Sequence, residues 1–367
     1  MASSRRTWIK QAGFTLAALG LGDNLSAETE YENCAPGSPI LLNSNENAFG
    51  PSKKAIQAIA SAASRSNRYP DDEVQLLINK LAGHHKVSTA NIAITAGSTE
   101  VLSATALLAA KQKGNAVTAE PSFNFWTKIA SGAGLSITKV PVNEERKLDL
   151  VNMRKAVNAE TRMVYVCNPN NPVGNYVEHG RLTSFVEDCS STAIVLVDEA
   201  YTEFANIPSL IPLALQNKNV VIAKTFSKVY ALAGSRIGYA IAHPDTIAKL
   251  NELNGWPNGS VSQVSIAAAS AAIDDQEFVK LCVAKTREAR EKVYATLKEL
   301  KLDYIPSYTS FMLFNIDPIR CNYEEAMRKK NIIVQYRDHF GGKWCRVSMG
   351  TLEEMDIFCK SLREICS

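Results

Sequence analysis

The chain has 367 residues, 46% of them hydrophobic and 21% charged, with a formal net charge of +3 and a pI near 8.3. That balance belongs to a soluble globular chain with a large core, and the length suits one large domain plus a smaller one. No basic tract exceeds three residues and none is interleaved with aromatics, which argues against nucleic acid as a partner. The eight cysteines form no C-x-x-C pair, so neither a zinc knuckle nor a dithiol redox site is expected, and no metal site stands out. In a chain this long they read as mostly buried free thiols.

The first residues read as an address. Ser4 to Lys10, SRRTWIK, resembles a twin-arginine export motif, with Trp8 and Ile9 where Phe and Leu are usual. An apolar stretch from Ala12 to Gly22 follows, too short to cross a bilayer comfortably. A cleavage point fits after Ala27, although Leu25 is bulky for its place. The alternative is an amphipathic helix packed on the fold. A basic start, an apolar run and a cleavage site in that order favour a signal over 1–27. They imply export to the periplasm rather than residence in the cytoplasm, with no membrane attachment after removal.

The stretch PILLNSNENAFGPS (39–52) is turn-rich and reads as extended. From Asn91 short apolar runs alternate with helical patterns. Residues 91–97, NIAITAG, read as a buried strand, and 98–111 as a helix whose first turn holds Ser98, Thr99 and Glu100. Further strands are expected over 115–120, 135–142, 162–168, 192–200, 219–225 and 237–243, with helices between several of them. This alternation points to an α/β fold with a mostly parallel sheet covered on both faces. After NGWPNGS (254–260) the pattern changes. One helical stretch, 261–300, leads into strands over 307–316, 331–336 and 345–350 and helices near 322–330 and 352–366. Together these read as a smaller α+β domain.

Several chemistry-bearing residues fall at expected strand ends, each weak alone. Asp198 closes an apolar strand, where a carboxylate is costly to bury without a cation, though a turn or cap residue would serve as well. NPNNPVG (168–174) is otherwise an ordinary loop. Gly97 and Ser98 stand where a strand meets a helix N-terminus, a place suited to a phosphate. Lys228 sits among hydroxyl residues in KTFSKVYALAGSRIG, and most lysines are solvated charges. Their order along the chain gives them weight. Strand ends on one edge of a parallel sheet converge on one crevice. A phosphate cradle, a buried carboxylate, an Asn turn and a lysine are what pyridoxal 5′-phosphate (PLP) requires.

With LNSNENAFGPS, RYPD, TAGSTE, PSFNFW, NPNNPVG, DEAY, TFSK, SRIG and RVSMGT in this order, the sequence resembles the fold type I PLP-dependent aminotransferases of class I/II, near histidinol-phosphate aminotransferase. The resemblance runs from Leu42 to Thr351 and onward. It implies a PLP-binding large domain over 51–255, a small C-terminal domain over 256–367, and a segment 28–50 associated with the small domain and the active-site mouth. It implies that Lys228 is the Schiff-base lysine and proton shuttle, that Asp198 pairs with the pyridinium nitrogen, and that Asn171 and Tyr201 bond the ring 3′-oxygen. Phe123 would stack on the ring, with a core Phe as the plain alternative. Gly97, Ser98 and Thr99 would hold the phosphate with Thr225, Ser227 and Arg236. Tyr69 would reach the phosphate of a neighbouring subunit, which implies a homodimer with shared sites. Arg346 would take a substrate anion, and Asn47 lies in the segment folded over the mouth.

The chain departs from the pattern at two places. Where an arginine is usual just after the IIV-type run, this chain reads Val334-Gln335-Tyr336, with Arg337 two residues on, leaving it as a second substrate-side candidate. Ala48 replaces Pro in the NEN-Pro run. The expected activity is amino-group transfer to a 2-oxo acid by a ping-pong PLP/PMP cycle. The alternatives are a PLP decarboxylase of the threonine-phosphate type, a racemase, or a non-catalytic PLP-fold binding protein. Intact Lys228, Asp198, Asn171 and Tyr201 argue against the last.

Overall fold

The computed structural model describes residues 38–253 and 260–367. The expected signal over 1–27, Cys34 and most of NGWPNGS lie outside the described residues.

Seven strands make the large sheet: β2 (Ile92–Thr95), β3 (Gly114–Glu120), β4 (Leu135–Pro141), β5 (Thr161–Cys167), β6 (Ile194–Asp198), β7 (Val220–Thr225) and β8 (Gly238–Ala242). Their order is β2-β8-β7-β6-β5-β3-β4. All run in one direction except β8, which is antiparallel to both its neighbours. Strands β6, β7 and β8 are buried nearly throughout, as expected of strands covered on both faces. Because β2, β5, β6 and β7 point the same way, Gly97, Asn168, Asp198 and Ser227 all emerge at one edge. Strand β8 starts there, since Gly238 pairs with both Thr95 and Thr225.

The small sheet has the order β1-β11-β12-β10-β9, with β1 (Ile40–Leu42), β9 (Tyr304–Ile305), β10 (Phe311–Asn315), β11 (Ile332–His339) and β12 (Gly342–Ser348). Strand β1 pairs parallel to β11 and the rest are antiparallel. The segment before Pro51 is therefore stitched into the small sheet at residues 40–42 and not merely extended. One face of this sheet packs Met312, Phe314, Cys345 and Val347 against the Leu352–Cys366 helix, which carries Met355 and Phe358. Among the described residues no helix is long and apolar enough to cross a membrane.

Three local expectations need correction. The helical stretch over 261–300 is two helices, Gln263–Asp274 and Gln276–Glu299, parted at Asp275, whose φ of −95° and ψ of 62° leave the helical region. Asp274 and Asp275 are each held by a lysine instead, Lys80 at 2.5 Å and Lys54 at 3.3 Å. The strand expected over 307–316 starts only at Phe311. Ser307 Oγ accepts from Thr309 N at 3.2 Å and Thr309 Oγ1 from Phe311 N at 3.3 Å, so hydroxyls take backbone donors a ladder would need. The strand over 331–336 runs on to His339, because Phe340 (φ 53°) and Gly341 (φ 75°) make a tight hairpin turn to β12.

The Gln276–Glu299 helix joins the two cores. Val279 and Cys282 belong to the large-sheet core, and Ala289, Val293 and Leu297 to the small-sheet core.

Gly238 shows how tightly the crevice edge is built. A Cβ there would lie 2.5 Å from Ser98 N and 2.7 Å from both Gly97 C and Lys224 O, all of them backbone. Gly238→Ala is expected to cost about 1–3 kcal/mol of stability, read as a lowered urea midpoint at unchanged slope. An unchanged midpoint contradicts this packing.

Candidate active site

The strand ends and their loops enclose a cavity of about 360 Å³ at the crevice edge. At one end is a cradle of donors. Gly97 (φ 80°) caps the Ser98–Ala109 helix, a conformation that favours glycine. A Cβ on Gly97 would fall 2.6 Å from Arg236 Nη2, so the guanidinium lies directly over this turn. Arg236 Nη2 donates to Thr99 Oγ1 at 3.2 Å and Nη1 to Ala233 O at 2.8 Å. Thr225 Oγ1 donates to Ser227 Oγ at 2.9 Å and accepts from Ser227 N at 3.1 Å. Helix N–H groups, a guanidinium and hydroxyls facing one space form an oxoanion cradle.

Asp198 ends β6 inside the cavity wall. Oδ2 accepts from Tyr165 OH at 3.0 Å and Oδ1 from Ala200 N at 3.1 Å. Burial raises its pKa to about 6, while these two bonds and the nearby Lys228 oppose the rise. Lys228 Nζ donates to Asn45 O at 3.1 Å and lies 5.8 Å from the Tyr201 ring centroid. Burial lowers its pKa to about 8, helped by the charge of Arg346.

Tyr201 OH accepts from Asn45 Nδ2 at 3.1 Å, which leaves its own proton free to point into the cavity. Burial holds that proton on, pushing the phenol well above its ordinary range. Asn171 Oδ1 accepts from Arg346 Nη1 at 2.8 Å, leaving its amide nitrogen as a donor. Arg346 Nη2 donates to Asn43 O at 3.0 Å, its guanidinium lies 5.5 Å from the Phe311 ring centroid, and its Nε has no partner. Phe123 is half-buried and lines the cavity. Asn47 Nδ2 donates to Lys228 O at 3.3 Å and Val229 O at 3.1 Å, fastening the mouth segment to the lysine loop.

Most of the residues singled out in the sequence thus meet in one place. Two do not. Arg337 is exposed and lies outside the cavity; it shares a strand face with Gln335, the residue paired with Arg346, but stands two positions further along β11, opposite Trp344. Tyr69 is 73% exposed and does not line the cavity of its own chain. Sequence reasoning missed Asn45 and Tyr165. Asn45 is buried with φ 54°, and its N donates to Ser348 Oγ at 2.8 Å, so one residue ties the mouth segment to Tyr201, Lys228 and β12. Three asparagines occur within LNSNEN, and only their left-handed tolerance could have marked one of them.

A family model for aminotransferase class I and II matches residues 38–362. The chain belongs to this family. Among the relatives of this aminotransferase, histidinol-phosphate aminotransferase 2 of Carboxydothermus hydrogenoformans is 36% identical over 330 residues, 88% of this chain and 90% of that protein. The histidinol-phosphate aminotransferase of Bacillus cytotoxicus is 36% identical over 351 residues, 94% of this chain and 93% of that one. The crystal structure of the Sinorhizobium meliloti histidinol-phosphate aminotransferase in complex with PLP superposes with a TM-score of 0.82 at 27% identity, covering 94% of this chain and 99% of that chain. A Thermus thermophilus aspartate aminotransferase shares the fold, with a TM-score of 0.78 at 19% identity.

The protein is thus a PLP-dependent aminotransferase of fold type I. Its cavity fits that cofactor on its own terms. An oxoanion cradle stands at one end, a lysine of lowered pKa lies within, and a buried carboxylate awaits a cationic partner.

The aspartate's burial sets a pH signature in the cofactor-free aminotransferase. Its native pKa of about 6 exceeds the ordinary 3.8, so between these values the native form holds more protons than the unfolded form. Stability from this group is therefore lost as pH rises through that window. The difference in unfolding free energy between wild type and Asp198→Asn should fall from pH 4 to pH 7 in urea titrations. A flat or rising difference contradicts the assignment.

Proposed function

We propose that Lys228, Asp198, Asn171, Tyr201 and the Gly97–Arg236 cradle are the cofactor-binding and catalytic groups of this aminotransferase, and that Arg346 receives an anionic group of the amino donor. The observation that carries this reading is the joint presence of Lys228 and Asp198 in the wall of one cavity that also holds the cradle.

Each residue has a task that its surroundings support. Ser98, Thr99, Thr225, Ser227 and Arg236 would hold the cofactor phosphate, and Phe123 would cover a face of the ring. Asp198 would keep a proton on the ring nitrogen, since a cationic N–H beside it relieves the cost of its own burial. The free donor atoms of Asn171 and Tyr201 would bond the ring hydroxyl oxygen. When bound, PLP supplies an aldehyde for amines and an electron sink in its protonated ring. With a pKa of about 8, about a tenth of Lys228 is neutral at pH 7 and able to act as nucleophile. Once displaced by substrate, the same amine would carry the α-proton.

The two half-reactions share this one site, so transfer is ping-pong. Arg346 has an orphan Nε and a half-buried guanidinium whose pKa burial lowers, which suits a carboxylate or phosphate on the donor. The names of the relatives make histidinol phosphate a donor to test first. Two further parts of the proposal concern setting. Tyr69, at 73% exposure, is available to reach into a second copy, giving a homodimer with shared sites. The SRRTWIK pattern supports twin-arginine export to the periplasm, a route that carries folded proteins already loaded with cofactor.

Purified protein should show a visible band from lysine-bound PLP, absent in Lys228→Ala. Mixing it with histidinol phosphate and a panel of amino acids should convert bound PLP to PMP with release of an oxo product. Wild type without the band contradicts the roles of these residues. Carbon dioxide without an oxo product contradicts transfer as the main reaction.

A further inference from the structure

Arg290 lies on the Gln276–Glu299 helix, between the part packed in the large-sheet core and the part packed in the small-sheet core. It is only 8% exposed. Nη1 donates to Thr309 O at 2.8 Å and Nε has no partner. Among the described residues it makes no ion pair. One neutral carbonyl compensates little of the cost of burying a guanidinium. Burial accordingly lowers its pKa.

Arg290 also lines a cavity of about 1130 Å³, walled by this helix, the turn at 203–206 and the loop at 306–308. Most charges on the wall already have partners. Glu203 pairs with Lys224 at 3.1 Å, Glu288 with Lys285 at 3.0 Å, Lys280 with Glu277 at 2.8 Å, and Lys292 with Asp356 at 2.6 Å. Arg287, Arg290 and Glu291 are left without an ion pair among the described residues, two cations against one carboxylate. Arg287 stands three positions before Arg290, on the same side of the helix. No residue lines both this cavity and the Lys228 cavity.

We propose that this cavity is a second binding site, for a small oxoanion, either a carboxylate or inorganic phosphate, held by Arg290 with Arg287 at the rim. An oxoanion presents paired acceptors in the plane of the guanidinium fork, which no carboxylate of the described fold does. Bound there, it meets the bridging helix and can reach the large-sheet turn and the small-sheet loop. Its occupancy thereby bears on how the two cores are held together.

The test is calorimetric titration of the PLP-loaded Arg346→Ala protein, which lacks the arginine beside the Lys228 cavity, with malonate in one series and inorganic phosphate in another. Saturable binding at one site per chain is expected in at least one series, and the pair of series tells carboxylate from phosphate. Adding Arg290→Met should weaken it roughly 10- to 100-fold, the loss of a charge-assisted hydrogen-bond pair. Should Arg290→Met fail to fold, Arg287→Ala and selenate-soaked crystals decide, with weakened binding and an anomalous peak within hydrogen-bond reach of Arg290 expected. No saturable binding of either anion, unchanged affinity in a folded Arg290→Met, or selenate bound away from Arg290 overturns the proposal. The readout is binding rather than turnover, so it stands or falls apart from the roles assigned at Lys228.

Discussion

A carboxylate buried at the end of β6 must be met by a cation, and much of the crevice answers to that requirement. Tyr165 OH and the Ala200 amide steady Asp198 without neutralising it. Lys228 is near enough to favour the charged form, yet burial works against its own charge. Both groups are thus held away from their solution protonation behaviour, the aspartate raised and the lysine lowered. A protonated ring nitrogen beside Asp198 relieves the first. An uncharged amine at Lys228 is the form that a carbonyl cofactor consumes.

The small sheet contributes through long-range bonds. Strand β1 fixes residues 40–42 against β11, and from there the chain reaches Asn45, whose amide, carbonyl and side chain bind β12, Lys228 and Tyr201. Asn47 adds bonds to the backbone of the lysine loop. The mouth segment is therefore a wall of the site as well as a cover. Arg346 ties Asn171 to Asn43 and so joins the loop after β5 to this wall. The helix through Arg290 is one covalent bridge between the two cores, the chain from Leu42 to Lys53 being another, so the geometry of the crevice depends on how that helix sits in each.

Much of this could be read from the sequence because parallel strands buried on both faces are written as unbroken apolar runs. The ends of those runs are the ends of the strands. Asp198 after IVLV and Gly97 after IAIT were visible for that reason. Asn45 was not, since its partners lie 156 to 303 residues away and no local pattern records them. The late start of β10 was hidden because Ser307 and Thr309 look compatible with a strand until their hydroxyls are seen capping their own backbone. Arg337 was a candidate only by its nearness to the family's usual arginine, and its place two residues beyond Gln335 on β11, opposite Trp344, leaves it outside the cavity lining. The break at Asp275 interrupts an otherwise helical composition, and the lysines that fix it come from residues 54 and 80.

The central claim is that Lys228, rather than the more deeply buried Lys224 four residues earlier, is the amine on which this aminotransferase depends. Lys224 is held by Glu199 at 3.3 Å and Glu203 at 3.1 Å, which raise its pKa and keep it charged. Borohydride reduction of the PLP-loaded protein, followed by peptide mapping by mass spectrometry, distinguishes the two. The account predicts a pyridoxyl group on Lys228 alone. A label on Lys224, or on no lysine at all, would contradict it.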